Sequence, residues 1–144
     1  MKIAICASIE FTPKIKELAD ALTECGHEVE IPLTSQKILR GELTLENFLK
    51  EKKERGDGAF RKIKDDVIKR YFEIIKGIDA LLVLNLEKKS VPGYIGGNTF
   101  LEMGFAHVLG KPIYLFGAIP EMIYTDEIKA MQPVVISGDL SKII

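Results

Sequence analysis

Residues 2–31 read KIAICASIEFTPKIKELADALTECGHEVEI, and this stretch decides the fold class. Its first part, 2–8, is a short Ile-rich apolar run bounded by polar residues, the composition of a strand buried on both faces of a parallel sheet. Thr12-Pro13 then opens a helix, with Thr as N-cap and Pro at the first helical position, where a missing N–H costs nothing. Ile15, Leu18, Ala19, Leu22 and Cys25 recur at helical spacing, and Gly26 ends the run. Residues 27–31 alternate polar and apolar as a second strand, stopped by Pro32. Strand, helix and strand in this order make a βαβ unit, which demands parallel pairing and a right-handed crossover.

The same alternation continues downstream. Asp79 opens the most apolar strand, 80–84, expected at the centre of the sheet. A loop over 87–97 leads to a helix over about 99–109, punctuated by Gly110-Lys111-Pro112. Residues 113–116 form a fourth strand, and a short helix near 126–131 precedes a fifth at 134–136. The expectation is one α/β domain over 1–144, a three-layer flavodoxin-like (Rossmann-like) arrangement with a five-stranded, mainly parallel sheet. A chain of 144 residues suits a single domain and removes roughly 70% of its unfolded surface from water.

Composition narrows the function classes. With 47% hydrophobic and 28% charged residues, disordered and fibrous classes are excluded. Twenty Lys+Arg against 21 Asp+Glu give a net charge of −1, which supplies no field for a nucleic-acid polymer or an anionic membrane. No apolar run approaches the roughly 20 residues of a membrane span, and the first residues do not form a signal peptide. Cys6 and Cys25 belong to no CxxC pair and read as buried small hydrophobes in a reducing, cytoplasmic setting. With two histidines, His27 and His107, both read as surface or packing residues, nothing calls for a metal or an organic cofactor.

The neutral total conceals an insert between the second and third strands. Residues 37–76 hold 12 basic and 8 acidic residues, net +4, which leaves the remainder at net −5. Residues 43–55 read as a solvated helix, Gly56-Asp57-Gly58 breaks it, and a second helix runs over about 59–76. Phe60, Ile63, Val67, Tyr71 and Ile74 or Ile75 stripe one face of that helix. The insert is either a solvated helical pair whose Glu and Lys neighbours support one another, or a lid or subunit contact over the pocket. In the second case Arg61, Lys62 or Arg70 meets a phosphate.

Parallel sheets bind ligands beyond the carboxyl ends of their strands, where the strand order reverses. Three loops qualify: 8–12, 85–99 and 117–124. They make Ser8, Ile9, Phe11, Asn85, Tyr94, Gly96, Gly97 and Asn98 the candidate substrate-binding residues. Glycines allow close backbone approach, and the helix start after Gly97 exposes N–H groups to anions. Neither GxGxxG nor a P-loop is present. Glu102 has two readings. Thr99-x-x-Glu102 fits a capping box. Alternatively Glu102, sharing its face with Asn98, Ala106 and Leu109, is a half-buried carboxylate aimed at the glycine loop. Tyr94 and Tyr124 either stack on a base or pack on the sheet edge. Glu121 and Asp126, near the third loop, are further acids by position alone.

Taken together, Ala4-Ile5-Cys6-Ala7-Ser8-Ile9, Asp79-Ala80-Leu81-Leu82-Val83-Leu84 and the run from Asn98 to Ala106 followed by Gly110-Lys111-Pro112 resemble the nucleoside 2-deoxyribosyltransferase family, including the 2′-deoxynucleoside 5′-phosphate N-hydrolases. The resemblance spans most of the chain except the charged insert. It implies a flavodoxin-like fold, Glu102 as the nucleophile that attacks C1′ of the sugar, and Ser8, Gly97 and Asn98 at the sugar hydroxyls or a 5′-phosphate. It further implies a small-molecule nucleoside or nucleotide as ligand and a homo-oligomer in which a neighbour's residues complete the site. Two positions depart from the family pattern. Gly96 stands where the family carries Asp or Ser, and Tyr71 stands where it often has an Asp that protonates the leaving base. Tyr71 is therefore either a phenolic proton donor or a core residue on its stripe. Gly96-Gly97-Asn98-Thr99-Phe100-Leu101-Glu102 also resembles the glycine loop of the cytokinin-activating phosphoribohydrolases. The alternatives are thus an N-glycosidase or transferase, a phosphoribohydrolase, and a nucleotide-sensing module without chemistry.

Overall fold

The computed structural model describes residues 1–54 and 56–144, except the side chains at 57, 59 and 60. The sheet has five strands: β1 (Lys2–Cys6), β2 (Glu28–Glu30), β3 (Ala80–Val83), β4 (Ile113–Leu115) and β5 (Val134–Val135). Their order is β2-β1-β3-β4-β5 and all four pairings are parallel. The chain leaves β1 for β2 on one side and returns to place β3 on the other, so the order reverses at the β1–β3 pair. In that pair Ile3 faces Ala80 and Cys6 faces Val83. β3 is buried along its whole length, as its unbroken apolar composition demands.

Side chains alternate across this sheet and build two cores. Ile3, Ile5, Leu82 and Leu84 meet Ile15, Leu18 and Leu22 of α1 (Thr12–Glu24) together with Ile143 near the chain end. On the other face Cys6, Leu81, Val83 and Leu115 meet Ile75, Met103, Ala106 and Ile128. These last four come from α4 (Asp57–Lys76), α5 (Gly97–Val108) and α6 (Thr125–Ala130). The insert contributes α4 and two further helices, α2 (Leu33–Leu39) and α3 (Leu45–Glu54). Asp79 caps the start of β3 from the side: its Oδ2 accepts the Lys2 N–H at 2.7 Å.

Several local expectations are corrected. Thr12 is the first helical residue and Phe11 holds the N-cap position without a side-chain bond. The Thr12 hydroxyl instead bonds the Ile9 carbonyl and lies 2.9 Å from Ser35 Oγ, which fastens α2 to α1. Cys25 is exposed, not buried, because the helix closes at Glu24 and Gly26 (φ 89°) turns the chain away before the stripe returns to the sheet. Pro32, read as a strand stop, is also the N-cap residue of the unforeseen α2, whose seven residues are too few to show a period. The expected break at 56–58 is only the N-cap at Gly56, with α4 starting at Asp57. Arg55, the expected end of the preceding helix, and the Phe60 side chain lie outside the described residues.

Candidate functional site

At the carboxyl ends of β1 and β3 a cleft of about 1030 Å³ opens between the sheet loops and the insert. Its floor is the start of α5. The N-cap there is Gly96, in extended conformation, so the helix begins two residues before Thr99. Thr99 therefore occupies the third helical position, and Glu102 lies past the reach of any capping box. Gly97 and Asn98 put the first N–H groups of α5, which have no intrahelical partner, at the cleft wall.

Glu102 is buried, 8% exposed, and its carboxyl still lines the cleft. Burial raises its pKa from 4.5 to about 7, opposed by a hydrogen bond from the Cys6 thiol and by the charge of Lys64. Burial also pushes the Cys6 thiol well above its ordinary range, and the Glu102 carboxylate adds to that shift. Cys6 thus stays a neutral donor beneath the carboxylate. Lys64 Nζ donates to Asn98 Oδ1 at 3.1 Å, which brings α4 to the helix start. Tyr71 joins Glu102 at the cleft wall. Its hydroxyl oxygen accepts the Leu33 N–H at 2.9 Å, and burial raises its pKa above the usual phenol value despite that bond.

Ser8, Ile9, Tyr71, Tyr94, Gly96, Gly97, Asn98 and Glu102 all line this cleft. Ser8 accepts a hydrogen bond from Lys88 Nζ at 3.2 Å, and the same ammonium pairs with Glu10 at 2.7 Å, so the loops after β1 and β3 are latched across the switch point. Lys88 and Lys89 lie 5.5 and 5.7 Å from the centre of the Tyr94 ring. Phe11 and Asn85 lie elsewhere. Phe11 packs on the α1 core. Asn85 is 2% exposed and holds loops: Nδ2 donates to the carbonyls of Gly93 (3.3 Å) and Ala118 (2.8 Å), and Oδ1 accepts the Gly117 N–H at 2.7 Å. Tyr124 stacks on Phe100 with centroids 4.5 Å apart and donates to the Ile95 carbonyl, which spends both its ring and its hydroxyl on packing.

Of the three cations expected at a phosphate, Arg70 lines the cleft, whereas Arg61 and Lys62 do not, because the helical period turns 63, 67, 70 and 71 inward. Glu121 and Asp126 are exposed and line no part of the cleft. His107 is exposed, and His27 lies beside the N-terminal amine. Cys6, Lys37, Arg40, Lys52, Lys64, Lys88 and Lys89 are among the cleft or near-cleft residues that pattern reading missed. Lys64 and Cys6 reach the site from other elements, and no local spacing encodes that approach. Among the described residues no group of three His, Cys, Asp or Glu side chains is placed to hold a metal ion. No helix among them is long and apolar enough to cross a membrane. Scans against family models, curated proteins and solved structures find no match for this chain.

Proposed function

We propose that this protein breaks the N-glycosidic bond of a (deoxy)nucleoside or nucleoside monophosphate and passes the sugar to water or to a second base through an ester on Glu102. The observation that carries the reading is the buried carboxyl of Glu102 at the strand-order switch point, lining a cleft of ligand size, with burial raising its pKa to about 7. Such a carboxyl is substantially ionised at neutral pH, yet more basic than an ordinary glutamate and hence the better nucleophile. An oxygen lone pair of Glu102 forms the bond to C1′ while the C1′–N bond breaks, and its electron pair leaves with the base, which takes up a proton from solvent. Water or a second base then attacks C1′, the ester bond breaks and the Glu102 carboxylate is regenerated. Tyr71, held protonated, serves as a hydrogen-bond donor toward the departing group rather than as a strong acid.

Incubation with a panel of deoxynucleosides and their monophosphates, followed chromatographically for free base, tests the reading. Release that disappears in Glu102→Ala supports it. Tyr71 favours a second reading, in which the cleft binds a nucleotide and performs no chemistry, because burial strengthens its hold on the proton. Ligand-induced thermal stabilisation with no base released from any substrate would decide for that alternative.

A further inference from the structure

The insert builds one wall of the cleft, and that wall is cationic. Lys37 of α2, Arg40, Lys52 of α3 and Lys64 and Arg70 of α4 line it, joined across the opening by Lys88 and Lys89. Against these seven cations stand five carboxylates: Glu10, Glu42, Glu51, Asp66 and Glu102. Glu10 is engaged by Lys88, Glu42 pairs with Arg40 at 3.2 Å, and Glu102 is partly protonated at neutral pH. Lys37, Lys52 and Arg70, from three different helices, have no carboxylate within ion-pair distance among the described residues. Outside the cleft, Lys69 pairs with Asp65 at 2.8 Å and Lys76 with Glu73 at 3.0 Å, whereas Lys50, Lys53 and Lys62 have no ion pair among the described residues. The cleft is thus formally +2 in a chain of −1. Converging like charges repel, and a bound polyanion offsets that repulsion.

Volume points the same way. At about 1030 Å³ the cleft stands at the top of the range for ligand pockets, roughly 300–1,000 Å³, which leaves room for a ligand larger than a nucleoside. We propose that Lys37, Lys52 and Arg70 form a polyphosphate subsite, and that the substrate is a nucleotide carrying a chain of two or more phosphates. This proposal rests on the nucleotide reading of the Glu102 cleft and goes beyond it by naming the substrate class. A free di- or triphosphate and a diphosphate-bridged conjugate present the same chemistry to these cations.

Calorimetric titration of the Glu102→Gln protein, in which turnover is blocked, tests the subsite. The probes are a deoxynucleoside, its mono-, di- and triphosphate, and a nucleoside diphosphate sugar. The expected result is binding at least about tenfold tighter for the diphosphate or triphosphate than for the monophosphate. That gain should shrink as salt rises and vanish in a Lys37→Gln/Arg70→Gln double variant. It should survive Lys129→Gln, a change at an exposed lysine of α6 outside the cleft. An equal gain for the diphosphate sugar identifies a bridged conjugate, and a gain confined to the di- and triphosphates identifies a free chain. Affinity that does not rise beyond one phosphate, or a rise that persists in the double variant, overturns the proposal. Graded binding without base release by the wild type would uphold the subsite and sink the glycosidic reading. Base release from nucleosides with no gain from added phosphates would do the reverse.

Discussion

Glu102 titrates near 7 in the folded chain against 4.5 for an exposed glutamate, so folding favours its protonated form. Because the folded pKa is raised, this contribution is fully present below pH 4.5 and is lost as pH rises through 7, a change of about 3 kcal/mol at 1.36 kcal/mol per unit. Glu102→Gln keeps the shape and removes the charge. Its thermal stability should match the wild type near pH 4 and exceed it by about 3 kcal/mol above pH 8, the gap opening between 4.5 and 7. A gap that does not change with pH would show that the carboxyl does not titrate as described. The rate of base release should rise through pH 7 and level off above it, since only the carboxylate attacks C1′. Cys6→Ala, which removes a bond that lowers the Glu102 pKa, should move that limb to higher pH in a pH–rate profile. Glu102 and Asn98 were legible because they sit beside a glycine-rich helix start. Cys6 was not, since its role depends on β1 ending beneath α5.

Three connections meet at Asn85, just after β3. Its amide ties the 93 carbonyl, the 117 N–H and the 118 carbonyl into one knot. Gly93 sits within it at φ 70°, and a Cβ there would come within 2.4 Å of the Ala118 carbonyl oxygen. Asn85→Ala leaves buried polar groups without partners and should cost about 2–4 kcal/mol in denaturant unfolding. An unchanged midpoint would remove the knot from the account of the site. From sequence, Asn85 is one more polar residue at a strand's carboxyl end, equally suited to a ligand or to a loop. Which it serves depends on where residues 93 and 117–118 return. The strands and long helices were readable because their apolar period repeats several times. α2 was not, because two turns after a proline carry no period to count.

The two faces of the sheet are covered unequally. α4, α5 and α6 cover one, while α1 shares the other with the chain's last residues, where Ile143 is buried and the Tyr114 hydroxyl donates to the Ile144 carbonyl at 2.9 Å. Removing residues 140–144 should therefore expose Tyr114 and Ile136 and lower stability by about 2–5 kcal/mol, seen as a lower thermal midpoint with the far-ultraviolet spectrum retained. A midpoint that does not move would show that α1 suffices for that face.

The α/β class, the parallel sheet and the region of the cleft follow from sequence, because hydrophobic period and turn residues act over a few neighbouring positions and need no knowledge of the rest. The composition also excluded a general field for polymeric nucleic acid. What folding alone decided is how the neutral total is distributed. On the outer side of α4, Lys69 and Lys76 pair with Asp65 and Glu73, while Lys37, Lys52 and Arg70 line one cleft from three helices. The pKa of Glu102 was decided there too, since a pKa depends on burial and on neighbours supplied by β1 and α4, and neither is adjacent to α5 in the chain.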